Sequence, residues 1–180
     1  MRLLRRNRPI YAGKSIFGKT GIKDMNHTFR PFNPDSDKNT VARFLLDTQT
    51  ITGTVPADVD ENWKRYLSSI LLAQKRDPNY CAMMLGEDGL TVGFIDAFPL
   101  IKDSVTGFVR FDYIVPEKRK LGLGRKLLEY ALAILSRAGC KRVCLDVAKT
   151  NIAAIAFYQR LGWTMTGEGN GPFLKMSREI

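Results

Sequence analysis

A chain of 180 residues with 44% apolar content can close one sizeable core, so one domain is expected. No window comes near the roughly 20 uninterrupted apolar residues of a membrane span. Cys81, Cys140 and Cys144 form no Cys-x-x-Cys pair and are odd in number, which argues against a disulfide framework or a metal site and for reduced thiols in a cytoplasmic protein.

The formal net charge of +10 is unevenly spread. Residues 1–27 hold seven basic side chains against Asp24 alone, and the remaining 153 hold 21 basic against 17 acidic. Much of the second group's excess lies in the run 118–126. Charge gathered in a tail and a tip, without interleaved aromatics, does not resemble the basic stripe of a nucleic-acid-binding face.

Residues 1–27 show no sustained periodicity and are expected to form a basic arm outside the fold. A start-site artefact ahead of Met25 and an organelle transit peptide are the two other readings, and no apolar run follows the arginines to make a secretory signal. Gly13 to Thr20 satisfies the P-loop pattern G-x-x-x-x-G-K-[ST], with Gly18, Lys19 and Thr20 at its end. A P-loop needs a strand before it and a helix after it. Arg5, Arg6, Asn7, Arg8 and Pro9 precede this one and a short glycine-containing stretch follows, so it is set aside.

From Thr28 onward the pattern is regular. Residues 28–32 read as a strand. The run Pro34, Asp35, Ser36, Asp37 is expected to cap a helix through about Asp47, with Val41, Phe44 and Leu45 on one face. A polar loop over 48–58 follows. Asp60 is expected to cap a second helix whose inward face carries Trp63, Tyr66, Leu67, Ile70 and Leu71, ending near Asp77 and Pro78. Strands are predicted at 80–85 and 91–99, joined by a Gly86–Gly89 turn, and at 107–115. A strongly amphipathic helix over 123–137 closes at Gly139. A strand at 142–147, a helix at 151–161, and strands at 163–165 and 173–176 complete the chain. Helices between only some of the strands predict an α/β fold, with a mixed, partly antiparallel sheet of about seven strands and about four helices.

The junction 114–125 holds the chemistry. An apolar strand ends at Ile114, Val115 and Pro116, a basic loop follows, and Gly122 and Gly124 open a long helix. A helix start presents unpaired N–H groups and the positive end of its dipole, which suits an anion. Glycines there are expected to let phosphate approach the backbone, with Lys118, Arg119, Lys120, Arg125 and Lys126 around it. Gly-x-Gly lacks the third glycine and the downstream acid of a dinucleotide site.

Two blocks carry a family resemblance. Arg119-Lys120-Leu121-Gly122-Leu123-Gly124 is similar to the [QR]-x-x-G-x-[GA] segment of the GNAT superfamily of N-acetyltransferases. Asn151-Ile152-Ala153-Ala154-Ile155-Ala156-Phe157-Tyr158-Gln159-Arg160-Leu161-Gly162-Trp163 resembles that family's second block, N-x-x-A-x-x-F-Y-x-x-x-G-[FW]. The two occur in the family's order, and the resemblance spans roughly residues 28–180, an N-acetyltransferase domain.

The resemblance implies the GNAT acyl-CoA N-acyltransferase fold and acetyl-CoA as donor, without a metal. Amides of the 119–124 turn, with Arg125 beside them, would hold the CoA pyrophosphate. The main chain at Ile114 and Val115 would pair with the pantetheine arm and polarise the thioester, Asn151 would touch the same arm, and Tyr158 would protonate the leaving thiolate. Acceptor pockets in the family are built from segments corresponding here to 48–58, Trp63, Tyr66 and 167–172. Physical chemistry asks separately for a base for the amine; Asp112 is the first candidate and Asp96 the second, each with a structural role toward Arg110 or a place as a strand-edge charge as the alternative. No residue resembles a covalent nucleophile, so direct transfer to a primary amine in a ternary complex is expected. A non-catalytic acyl-CoA sensor is the main alternative and a nucleic-acid-binding protein a weaker one; a homodimer is left open.

Overall fold

The computed structural model describes residues 27–103 and 105–180; the basic arm and the P-loop-like segment fall outside them. The elements run β1 (Thr28–Pro31), α1 (Pro34–Thr52), α2 (Val59–Arg76), β2 (Cys81–Leu85), β3 (Thr91–Pro99), β4 (Thr106–Ile114), α3 (Leu123–Arg137), β5 (Arg142–Ala148), α4 (Ile152–Arg160), β6 (Thr164–Glu168) and β7 (Phe173–Glu179). The strands form one sheet in the order β1-β2-β3-β4-β5-β7-β6. Every neighbouring pair is antiparallel except β4 and β5. The expected mixed α/β architecture is therefore present, and no helix among the described residues is long and apolar enough to cross a membrane.

Three local expectations are corrected. The cap of α1 is Asn33, whose side chain accepts from the Asp35 amide, and not the 34–37 run. This helix also continues to Thr52 through the stretch expected to be loop. In its last turn the Thr50 and Thr52 hydroxyls bond back to the carbonyls of Leu46 and Thr48, and Gly53, at φ 69°, closes the helix in the left-handed region. The second helix is capped by Asp58, whose carboxylate accepts from the Glu61 amide at 2.8 Å, so Asp60 lies inside its first turn. Its inward row includes Ile70 and Ala73, while Leu71 is exposed.

A bulge in β4 sorts the two faces of the sheet. The ladder pairs Asp96 with Phe111 and then Ala97 with Val109, so Arg110 is the extra residue. Phe111 and Tyr113 face α1 and α2: Tyr113 stacks on Phe44 at 4.3 Å between ring centroids, and Tyr66 meets Phe111 edge-on. Asp112, between them, faces the other way, toward α4. Gly107 lies under Leu135 of α3, where any Cβ would come within 2.7 Å of that side chain. Between these layers Met83, Met84, Phe94, Ile95, Leu127 and Leu145 form the closed centre of the core.

Candidate active site

Parallel pairing of β4 and β5 runs only from Thr106 opposite Arg142 to Val109 opposite Leu145. Both strands continue for several residues beyond that point, so their edges part into a cleft. Tyr158 and Asp112 meet on the α4 side, Ile114 ends one edge of the cleft, and the start of α3 follows it.

The loop before α3 is shaped by two left-handed residues, Lys120 at φ 63° and Gly122 at φ 80°. Gly122 is the N-cap and supplies no side-chain cap. The amides of Leu121 through Arg125 find no acceptor among the described residues, as a helix start built for an external anion requires. A Cβ on Gly122 would meet nothing within 4 Å, so that side of the turn is open. At Gly124 the space a Cβ would take is filled by the Phe157 ring at 3.0 Å, so the missing side chain serves the packing of α3 on α4. Leu123 is 2% exposed and pins the turn to the core, whereas Leu121 is exposed. Arg125 lies outside on the first turn and pairs with Glu129.

The two main-chain positions at the end of β4 are not equivalent. The Val115 amide donates to Val92 O at 3.0 Å and its carbonyl accepts from the Lys118 amide, so both its groups are engaged within the protein. The Ile114 carbonyl instead takes a hydrogen bond from Arg119 Nε at 2.9 Å. The same guanidinium lies 5.3 Å from the centre of the Tyr113 ring and pairs with Asp47 at 3.4 Å. Asp47 also accepts from the Tyr113 hydroxyl at 2.6 Å. Burial, reinforced by Asp47, pushes that hydroxyl up to about 12. Arg119 thus ties the turn before α3 to the second half of α1, a contact the sequence did not reveal because Asp47 is 72 residues away.

Asn151 is the N-cap of α4: its Oδ1 accepts from the Ala154 amide at 3.1 Å, and its Nδ2 donates to none of the described residues. Two helical turns further, Tyr158 is 7% exposed, its ring 5.9 Å from that of Trp163. Its hydroxyl donates to Asp112 Oδ1 at 2.8 Å. Burial first, and then the neighbouring carboxylate, push Tyr158 well above the ordinary phenol range. Burial also raises Asp112, against the lowering effect of the Tyr158 hydrogen bond.

The second carboxylate, Asp96, is fully buried on the opposite face. Arg110 Nε donates to it at 2.7 Å, the Tyr66 hydroxyl at 2.9 Å, and the Cys81 thiol lies 3.4 Å away. Because the bulge turns Arg110 to this side, its guanidinium also lies 4.9 Å from the ring centres of both Tyr66 and Phe98. Asp96 is thus the partner of Arg110, the structural alternative raised for it. A further feature had no motif to announce it: a cavity of about 520 Å³ over β4, β5, β6 and β7, lined by Phe108, Arg142, Cys144, Asp146, Thr166 and Lys175 among others. Cys144 is half-buried on that surface.

A strand pair opening beside an uncapped, basic helix start defines an acyl-CoA N-acyltransferase type of site. A model of the acetyltransferase (GNAT) family matches residues 39–163, more than half of the chain, and the protein belongs to that family. Curated relatives include a 5-NmdU N-acetyltransferase of Pseudomonas phage PaMx11, 38% identical over 82 residues that cover 44% of this chain and 56% of that protein. Another is the [ribosomal protein bS18]-alanine N-acetyltransferase of Escherichia coli K12, 29% identical over 51% of this chain and 60% of the relative. The matches thus span little more than half the length of these two relatives. A probable spermine N(1)-acetyltransferase of Bacillus subtilis subsp. natto is 32% identical over 61% of this chain and 78% of that protein. Among solved structures, the PaiA N-acetyltransferase of Thermoplasma acidophilum in complex with coenzyme A superposes with a TM-score of 0.71 at 17% identity, over 87% of this chain and all of that one, and bears on the fold.

Proposed function

We propose that the protein transfers the acetyl group of acetyl-CoA to a primary amine by direct attack in a ternary complex. The observation that carries this reading is the set of unpaired amides from Leu121 to Arg125, set beside the cleft between β4 and β5 that holds Tyr158. In this proposal the pyrophosphate lies on those amides, with Arg119, Lys120 and Arg125 supplying charge. The pantetheine arm runs into the cleft, where Ile114 is its main-chain partner in preference to the already bonded Val115, and the Asn151 side-chain amide faces the arm. Arg119 leaves the Ile114 carbonyl when the arm arrives.

Once the amine attacks the thioester carbon, Tyr158 donates a proton to the departing sulfur, and Asp112 accepts the proton the amine gives up. Asp96 is a weaker choice for the second role, because Arg110 and Tyr66 already occupy its carboxylate. Relatives named for a ribosomal-protein alanine, for spermine and for 5-NmdU share N-acetylation and differ in acceptor, which supports an amine without choosing one.

Free-thiol release from acetyl-CoA against a panel of polyamines, amino acids, aminoglycosides and peptides with free N-termini tests the proposal. It predicts amine-dependent release of CoA with at least one class. Acetyl-CoA binding without release for any amine would instead support a sensor.

A further inference from the structure

We infer that Asp112 and Tyr158 work as one proton-carrying pair, in which the proton lost by the attacking amine passes through the carboxyl and the phenol to the departing sulfur. This rests on the acetyl-transfer proposal above and concerns how its two proton transfers are joined.

The hydroxyl of Tyr158 lies 2.8 Å from Asp112 Oδ1, and no other side chain among the described residues bonds to that carboxyl. Among the described residues no cation pairs with it. Arg110, two residues earlier on the same strand, is carried by the bulge to the opposite face and committed to Asp96. Across the strand pair on β3 stands Ile95. From α4 the one titratable partner is Tyr158, and no charged side chain of α3, β3 or β5 forms a hydrogen bond or ion pair with Asp112 among the described residues. A half-buried carboxyl with a phenol as its single side-chain partner holds a proton more readily than an exposed one.

That isolation constrains the chemistry. While Asp112 is anionic, loss of the Tyr158 proton would put two negative charges side by side with little solvent, so the phenol is a poor acid in that state. Once the carboxyl has gained a proton, the same phenol can donate, because a second proton follows it. As the C–N bond forms, the amine N–H proton moves to Asp112, directly or through one water. As the C–S bond breaks, the Tyr158 O–H proton goes to sulfur and the Asp112 proton moves to the Tyr158 oxygen. The products are the N-acetylated amine and CoA with its thiol, and both side chains return to their starting states.

The test compares wild type, Asp112→Asn, Tyr158→Phe and the double variant, using acetyl-CoA and the best amine from the thiol-release panel. Asn keeps an acceptor for the tyrosine but cannot carry the proton. Acetyl-CoA dissociation constants within twofold of wild type establish that each variant is folded with its donor site intact. The pair predicts that each single substitution lowers kcat by on the order of 100-fold, and that the double variant is no slower than the slower single. It also predicts that the wild-type fall in kcat toward acid, centred above the usual carboxylate range, vanishes in Asp112→Asn. Full kcat and an unchanged acid limb in Asp112→Asn, with Tyr158→Phe still slow, would overturn the pair while leaving the acetyl-transfer proposal standing. Losses that multiply in the double variant would overturn it as well, since the two groups would then act independently.

Discussion

Gly122 and Gly124 are two residues apart, and both belong to the family-like block, yet their backbones answer different demands. Gly122 stands at φ 80° with open space where a side chain would project, so an alanine there combines backbone strain with an obstacle on the ligand side. Gly122→Ala should cost about 1 kcal/mol of stability and weaken acetyl-CoA about tenfold. Gly124→Val pushes a side chain into the Phe157 ring, and overpacking of that kind should cost about 1–3 kcal/mol of stability. Urea unfolding and calorimetric titration with acetyl-CoA separate the two. Unchanged affinity in Gly122→Ala would mean that phosphate does not approach that side of the turn. The motif alone could not distinguish these roles, because which direction is open depends on α4, 30 residues downstream.

At the scale of elements, α1 is fastened at two points. Its first turn holds Asp37, 4% exposed, which accepts from both terminal nitrogens of Arg30 on β1 at 2.5 and 2.8 Å and from the Asn33 amide at 2.8 Å. Burial alone would raise this carboxyl, but the Arg30 hydrogen bonds and the Asn33 amide outweigh it and hold Asp37 below the usual carboxylate range. The folded protein therefore binds that proton less tightly than the unfolded chain does. The stabilisation is complete above the unfolded carboxyl's value, about 3.9, and is lost as pH falls through the lower folded one. Asp37→Asn should cost about 1.5–3 kcal/mol at neutral pH, and its gap from wild type in urea unfolding should narrow as pH drops below about 4. A constant gap down to pH 3 would contradict the charge assignment. The second fastening, Asp47 with Tyr113 and Arg119, joins the same helix to the turn before α3. Neither was readable in the sequence. Periodicity located both α1 and α2, but Asn33 and Asp58 as their caps depend on which side chain reaches an amide, and several neighbouring residues were chemically able to.

Across the whole molecule, the second half was the more legible. Residues 107–163 carry long amphipathic stretches and two motif blocks, and there strand, turn and helix fell close to their predicted places because local pattern and tertiary fold agree. The first half was visible as element order alone. The β4 bulge was hidden in a run of alternating side chains, yet it decides the fate of both carboxylates: Asp96 joins Arg110 and Tyr66 under α2, and Asp112 is left to Tyr158 under α4. The basic run 118–126, ambiguous as charge alone, surrounds a helix start whose amides lack internal partners.

The most direct check of that assignment is thermal unfolding with acetyl-CoA, CoA and ATP, each at the same concentrations. A ligand bound only by the folded state stabilises it by about 2.7 kcal/mol at one hundred times its dissociation constant. The account predicts a saturable upward shift of the midpoint with acetyl-CoA and with CoA, and a much smaller one with ATP, which has phosphates for the turn but no arm for the β4–β5 cleft. No shift with acetyl-CoA, or a shift with ATP alone, would contradict it.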